Sequence, residues 1–187
     1  MSTPTEIPFQ KLLDALLDAE TPLNPRFLYR LSDLEGADLK KLAAVWPQIP
    51  LWRRQALMED VEELSEADTL LSFVTLCRLA ASDEESSVRF LAVRTLWDYE
   101  ETSLVSLFMD ILQKDADAAV RSAAAGALGR FVYTGEVEEI PAAALRRIED
   151  LLLRVLGGDD TPQVRHSALE ALGYSSRAEI PPLIEAA

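Results

Sequence analysis

The chain has 187 residues, 49% hydrophobic and 27% charged, enough for one compact domain with a real core or for a short repeat array. Its 32 acidic and 18 basic side chains give a net charge of −14, spread so evenly that segments 1–64, 65–100 and 101–140 each carry −4 and 141–187 carries −2. Nucleic acid backbones and anionic membranes are repelled by every quarter of such a molecule, so neither is expected as a partner.

One cysteine, Cys77, and one histidine, His166, can form neither an internal disulfide nor a Cys/His zinc site. Met1 to Glu6 lack the basic start and apolar run of a signal peptide, and no run approaches the ~18 apolar residues of a membrane span. A cytoplasmic protein is expected, without cofactor or metal.

In chain order, Ile7–Glu20 reads as an amphipathic helix and Leu23–Leu34 as a short helix after Asn24-Pro25. Together, residues 1–36 are expected to form an N-terminal helical cap. Ala37–Trp46 reads as the first helix of a degenerate repeat, whose second helix starts at Trp52-Arg-Arg54; Trp46 and Trp52 are assigned to the N-terminal core. Further amphipathic runs cover Asp68–Ala81, Thr102–Lys114 and Pro141–Leu156.

Between these runs lie three segments that align without gaps. They are Val88-Arg-Phe-Leu-Ala-Val-Arg-Thr-Leu-Trp97, Val120-Arg-Ser-Ala-Ala-Ala-Gly-Ala-Leu-Gly129 and Val164-Arg-His-Ser-Ala-Leu-Glu-Ala-Leu-Gly173. Their Val, Ala and Leu recur every four residues and form one helix face. Each follows an acidic turn that starts at Asp83, Asp115 or Asp159. The repeating arginines Arg54, Arg89, Arg121 and Arg165 are 35, 32 and 44 residues apart. The surplus in the last interval falls in Phe131–Pro141, read as an extended helix end plus an acidic loop. Alternating strand patterns are absent, so the expected class is all-α, built of antiparallel helix pairs. Repeat units are expected near 37–66, 67–100, 101–140 and 141–176, followed by the start of another, within one continuous domain over 37–187. Glu179–Ala187 looks like the opening of a further first helix, which predicts a longer array and leaves Leu183 and Ile184 uncovered.

An Asp-rich turn followed by Val-Arg-x-x-Ala-x-x-Ala-Leu-Gly resembles a HEAT repeat, and more narrowly the HEAT-like repeats of phycobilisome lyases. The resemblance covers about residues 37–187. It implies a right-handed α-α superhelix, an α-solenoid of the HEAT and armadillo kind, in which Arg89, Arg121 and Arg165 meet acids such as Asp83, Asp115 and Asp159 and tie neighbouring repeats together. Iron-binding His-Glu pairs, as in the HEAT-like deoxyhypusine hydroxylases, are missing, and the acidity disfavours the DNA-binding face of the HEAT-like glycosylases. His166 lies in a stacking helix without a nucleophile motif, so no catalytic residue is assigned.

Positions one, five and eight after each arginine share another helix face. Their rows are Gln55, Phe90, Ser122, His166; then Glu59, Arg94, Gly126, Glu170; then Glu62, Trp97, Gly129, Gly173. Large and small side chains alternate along them. The expected partner-binding residues on the concave ridge are Phe90, Arg94, Trp97, Ser122, Gly126, His166 and Glu170. The expected function is a non-catalytic scaffold for a protein or peptide partner. A lyase-like accessory protein that holds a small molecule, or a structural spacer, are the alternatives.

Overall fold

A computed structural model describes residues 7–185 of the chain. The signal-peptide reading of Met1 to Glu6 lies outside the described residues. Contacts divide the chain between Thr95 and Leu96 into two compact units.

In unit 1, helix α1 (Phe9–Leu17) is followed by a 3₁₀ turn (Pro25–Leu31), α2 (Gly36–Val45), a second 3₁₀ turn (Trp46–Gln48), α3 (Leu51–Ala67) and α4 (Val74–Ala80); α5 (Ser86–Leu96) ends across the division. Helix α1 starts after Pro8 and stops one turn before the predicted end, because the Asp18 carboxylate accepts from the Glu20 and Thr21 amides at 2.8 and 3.2 Å. Asn24 likewise accepts from the Arg26 amide at 3.0 Å and starts the first 3₁₀ turn, with Pro25 at its first position. The run predicted as a helix from Asp68 is helical only from Val74. Asp68 turns the chain aside, its carboxylate accepting from the Leu70 amide at 3.0 Å. The buried core of unit 1 includes Leu12, Leu16, Leu42, Leu57, Met58 and Leu76. Cys77 lies in it too, where burial pushes its thiol far above the ordinary range and leaves it an apolar core group.

Unit 2 contains α6 (Ser103–Lys114), α7 (Ala118–Glu136), α8 (Ala142–Leu156), α9 (Pro162–Leu172) and the short α10 (Ile180–Glu185). Asp117 caps α7 by accepting from the Ala119 amide at 2.8 Å, and Thr161 caps α9 through the Val164 amide at 3.4 Å. Helix α7 packs against α6, α8 and α9, with Phe108 of α6 and Phe131 of α7 tilted against each other at 6.2 Å. Nineteen residues of α7 absorb most of the long interval between Arg121 and Arg165, and the acidic loop after Glu136 takes the rest.

The repeat stripe is the core in every copy. Val88, Ala92 and Leu96 are fully buried, as are Val120, Ala124 and Leu128, and Val164, Ala168 and Leu172. In the degenerate copy Leu57 and Val61 are buried, but the valine position is Arg53. Its guanidinium donates to the carbonyls of Asp18 and Thr21 at 2.7 and 2.6 Å, closing the end of α1. Trp46 is buried as expected of a core residue, whereas Trp52 is 49% exposed. Its ring lies outside the stripe, with the Arg53 guanidinium 4.4 Å from its centroid.

Two of the arginines tie neighbouring repeats through an acid one repeat ahead. Asp83 pairs with Arg54 of the preceding copy at 2.7 Å, both side chains almost completely buried. Arg89 donates to the main-chain carbonyls of Asp83 and Glu84 at 2.9 and 3.0 Å. Arg121 repeats both halves of this pattern. One guanidinium nitrogen closes its own turn on the carbonyls of Asp115 and Ala116, while the others grip Asp160 of the following turn at 2.6 and 2.9 Å. Each of these two arginines therefore pairs forward, with the acid one repeat ahead. Arg165 was expected to meet Asp159, but it is exposed and forms no ion pair among the described residues. The register explains this: Asp159 lies on the turn before Arg165, and the described residues after α9 contain no further acidic turn of this kind.

The Arg121 guanidinium, helped by the Thr161 amide, holds the Asp160 carboxyl below the usual carboxylate range. A lowered folded-state value contributes stability that is complete above the unfolded value of ~3.9 and fades as pH falls through the lower folded value. The Asp160→Asn variant is expected to lose that share at neutral pH and to show a flatter acid limb. Urea titrations of both proteins between about pH 2 and 6 check it; parallel acid limbs would refute it.

Candidate binding cleft

Helix α7 presents Gly126, Arg130 and Tyr133 on one face, at spacings of four and three residues. Trp97 follows the last residue of α5, and Tyr174 comes two residues after the end of α9. These five residues line a cleft of about 320 Å³ within unit 2. Its three aromatic rings are about half exposed: Trp97 48%, Tyr133 54% and Tyr174 58%. Tyr133 and Tyr174 meet edge to face at 6.1 Å, a favoured arrangement of aromatic rings. The Arg130 guanidinium stands 6.0 Å from the Trp97 ring centroid and donates to Glu100 at 2.5 Å.

Glycines of α7 have different causes. A Cβ on Gly129 would come within 3.0 Å of the Ala171 main chain, so that glycine lets α7 and α9 approach closely. A Cβ on Gly126 would meet nothing within 4 Å. No packing neighbour requires glycine there, although glycine in mid-helix costs about 0.5–1 kcal/mol relative to alanine. What Gly126 does is leave the floor of the cleft open.

The predicted ridge residues are distributed unevenly. Trp97 and Gly126 line the cleft together. Ser122 is only 7% exposed and shares a 2.8 Å hydrogen bond with Ser167, so it serves the α7–α9 contact and not an open face. His166 and Glu170 are exposed on α9, 3.3 Å apart. Phe90 and Arg94 belong to unit 1, where Arg94 lies 5.6 Å from the Phe90 ring centroid and forms a two-pronged ion pair with Glu62. That pairing is the chief cause that raises the Arg94 guanidinium above its ordinary value. Three lining residues were not foreseen: Arg130, Tyr133 and Tyr174. The rows stopped at the eighth position after the arginine. Extending them down the longer α7 exposes Tyr133, and Tyr174 is the next residue after Gly173.

Among the described residues no three His, Cys, Asp or Glu side chains gather as metal ligands, and no helix is long and apolar enough to cross a membrane. The described residues thus define an all-helical protein built on buried repeat stripes and equipped with an aromatic cleft. Residues 74–148, from α4 into α8, match the family model of HEAT repeats, and that stretch lies in an all-helical fold consistent with an α-solenoid. No curated protein matches it.

Proposed function

We propose that this chain is a non-catalytic cytoplasmic scaffold whose HEAT repeats, near 37–66, 67–100, 101–140 and 141–176, hold a segment of another protein. The contact residues are Trp97, Gly126, Arg130, Tyr133 and Tyr174. The observation that carries this reading is Gly126: it opens the space between three exposed aromatics without serving any packing neighbour. Tyr and Trp are the side chains that concentrate binding energy at interfaces, because they bring large rigid area at low entropic cost.

The test pairs two opposite signs. Gly126→Leu should stabilise α7 by about 0.5–1 kcal/mol, since leucine is the better helix former and nothing obstructs its Cβ. The same change fills the cleft, so peptides selected from a random library on the parent chain should bind it at least about tenfold more weakly. Trp97→Ala should lose affinity likewise. If the selected peptides bind both variants as they bind the parent, the cleft is not the site and the spacer reading takes its place. A tetrapyrrole ligand, implied by the narrower lyase resemblance, would instead give the purified chain visible absorbance.

A further inference from the structure

Resting on that reading, we infer that the occupant of the cleft is an extended, proline-containing segment with basic flanks. Three kinds of peptide docking can be weighed against the lining. Strand addition needs an open sheet edge, and the described residues contain no strand. Helix docking needs a continuous hydrophobic groove long enough to receive anchors on successive turns. Here the lining is five residues, Trp97, Gly126, Arg130, Tyr133 and Tyr174, with a guanidinium among them. The third kind is the docking of a polyproline II segment on aromatic faces, and this is the chemistry the lining offers. A proline ring lies flat on an exposed tryptophan or tyrosine and brings no N–H that would be stranded on binding. The segment is also extended beforehand, which suits a shallow cleft with little area to offset an ordering cost.

Charge selects the flanks. Residues 96–187 carry sixteen acidic and eight basic side chains. One acid contacts a lining residue, and two more lie within four residues of one along the chain. Glu100 pairs with Arg130, Glu136 accepts from the Ser176 amide two residues beyond Tyr174, and Glu170 lies one turn before Tyr174 on α9. Lysine or arginine beside the prolines would be drawn to this rim. A cation seated inside the aromatic cleft fits less well, because the Arg130 guanidinium already stands over the Trp97 ring.

The probe is a short synthetic peptide with a Pro-Pro-Ala-Pro-Pro core between arginine flanks, titrated against the full chain at low salt. Three controls accompany it: the same flanks around an alanine core, the same core between glutamates, and an amphipathic leucine helix of equal charge. Replacing the prolines or reversing the flanks should each weaken binding by about tenfold or more, with the flank effect shrinking as salt is added. Tyr174→Ala should abolish binding, and because Tyr174 is exposed its helix content should stay unchanged. Equal binding of the alanine-core peptide overturns the proline assignment, and equal binding of the glutamate-flanked peptide overturns the basic one. Tighter binding of the leucine helix, lost in Tyr174→Ala, overturns the inference while leaving the cleft as the site. If no synthetic peptide binds and library peptides bind Trp97→Ala as they bind the parent, the inference and the proposed function fail together.

Discussion

Asp83→Ala is expected to destabilise unit 1 by about 3–5 kcal/mol, the cost of removing one partner of a buried ion pair. The Asp83 side chain has no exposed surface and that of Arg54 only 5%. Four donor contacts converge on this carboxylate. Arg54 Nη1 reaches both oxygens at 2.9 and 2.7 Å, the Trp46 indole Nε1 donates at 2.6 Å, and the Glu85 amide donates at 2.9 Å. Alanine would leave a guanidinium charge and an indole N–H buried, with Glu84 at 3.6 Å as the one remaining acid partner of Arg54 among the described residues. Such a loss approaches the lower end of the stability of a typical domain, about 5–15 kcal/mol. Removing both charges should cost less than removing one: Arg54→Leu combined with Asp83→Ala strands no ion. Urea denaturation followed by circular dichroism measures all three variants. A loss below about 1 kcal/mol for Asp83→Ala, or a double variant worse than the single, would show that the pair is not the tie between these repeats.

The same pair shows where sequence reasoning reaches and where it stops. Val, Ala and Leu at a spacing of four can only be read as one helix face, and all nine of those positions in the three clear copies are fully buried. Partner choice is different information. An arginine next to an acidic turn in sequence suggests that turn as its partner, yet Arg121 spends one nitrogen on that turn's carbonyls and gives its carboxylate contact to Asp160, 39 residues on. Stacking decides this, because a helix reaches the following turn across the repeat interface. Side-chain exposure was legible to the extent that the repeat was regular. Trp97 and Gly126 fall on template positions and line the cleft. Tyr133 lies beyond the template, on the part of α7 that has no counterpart in the other copies. Ser122 occupies a nominally outward position but is covered because α9 packs against α7 at that level. Trp52 fails for a related reason: in a degenerate copy the buried valine position is Arg53, and the neighbouring ring is turned outward.

Gly129→Val carries the second large expected effect, about 3 kcal/mol of destabilisation in unit 2, at the upper end of ordinary overpacking costs. An added Cβ would lie 3.0 Å from the Ala171 Cα and 3.2 Å from its Cβ, and Tyr174 stands 3.7 Å away. The nearest obstacle is main chain, which cannot rotate aside as a flexible side chain can. Valine adds two further methyl groups to the clash, so α7 and α9 must separate along an interface that both repeat stripes depend on. The intrinsic preference runs the other way, since valine is a better helix residue than glycine by a few tenths of a kcal/mol, and packing is the larger effect. Gly126 is the internal control, three residues away on the same helix with open space above it. If glycine is present in α7 merely as a poor helix former, both substitutions should raise stability. The structure requires opposite signs: Gly126→Leu up, Gly129→Val down. Thermal and urea denaturation of the two variants beside the parent decide it, and a Gly129→Val chain as stable as the parent would mean that α7 and α9 do not approach as closely as described. The second effect also bears on function, because displacement of α9 carries Tyr174 away from Tyr133 and widens the cleft. Gly129→Val should therefore weaken any ligand that depends on the edge-to-face tyrosine pair, even though residue 129 itself is buried and does not line the cleft.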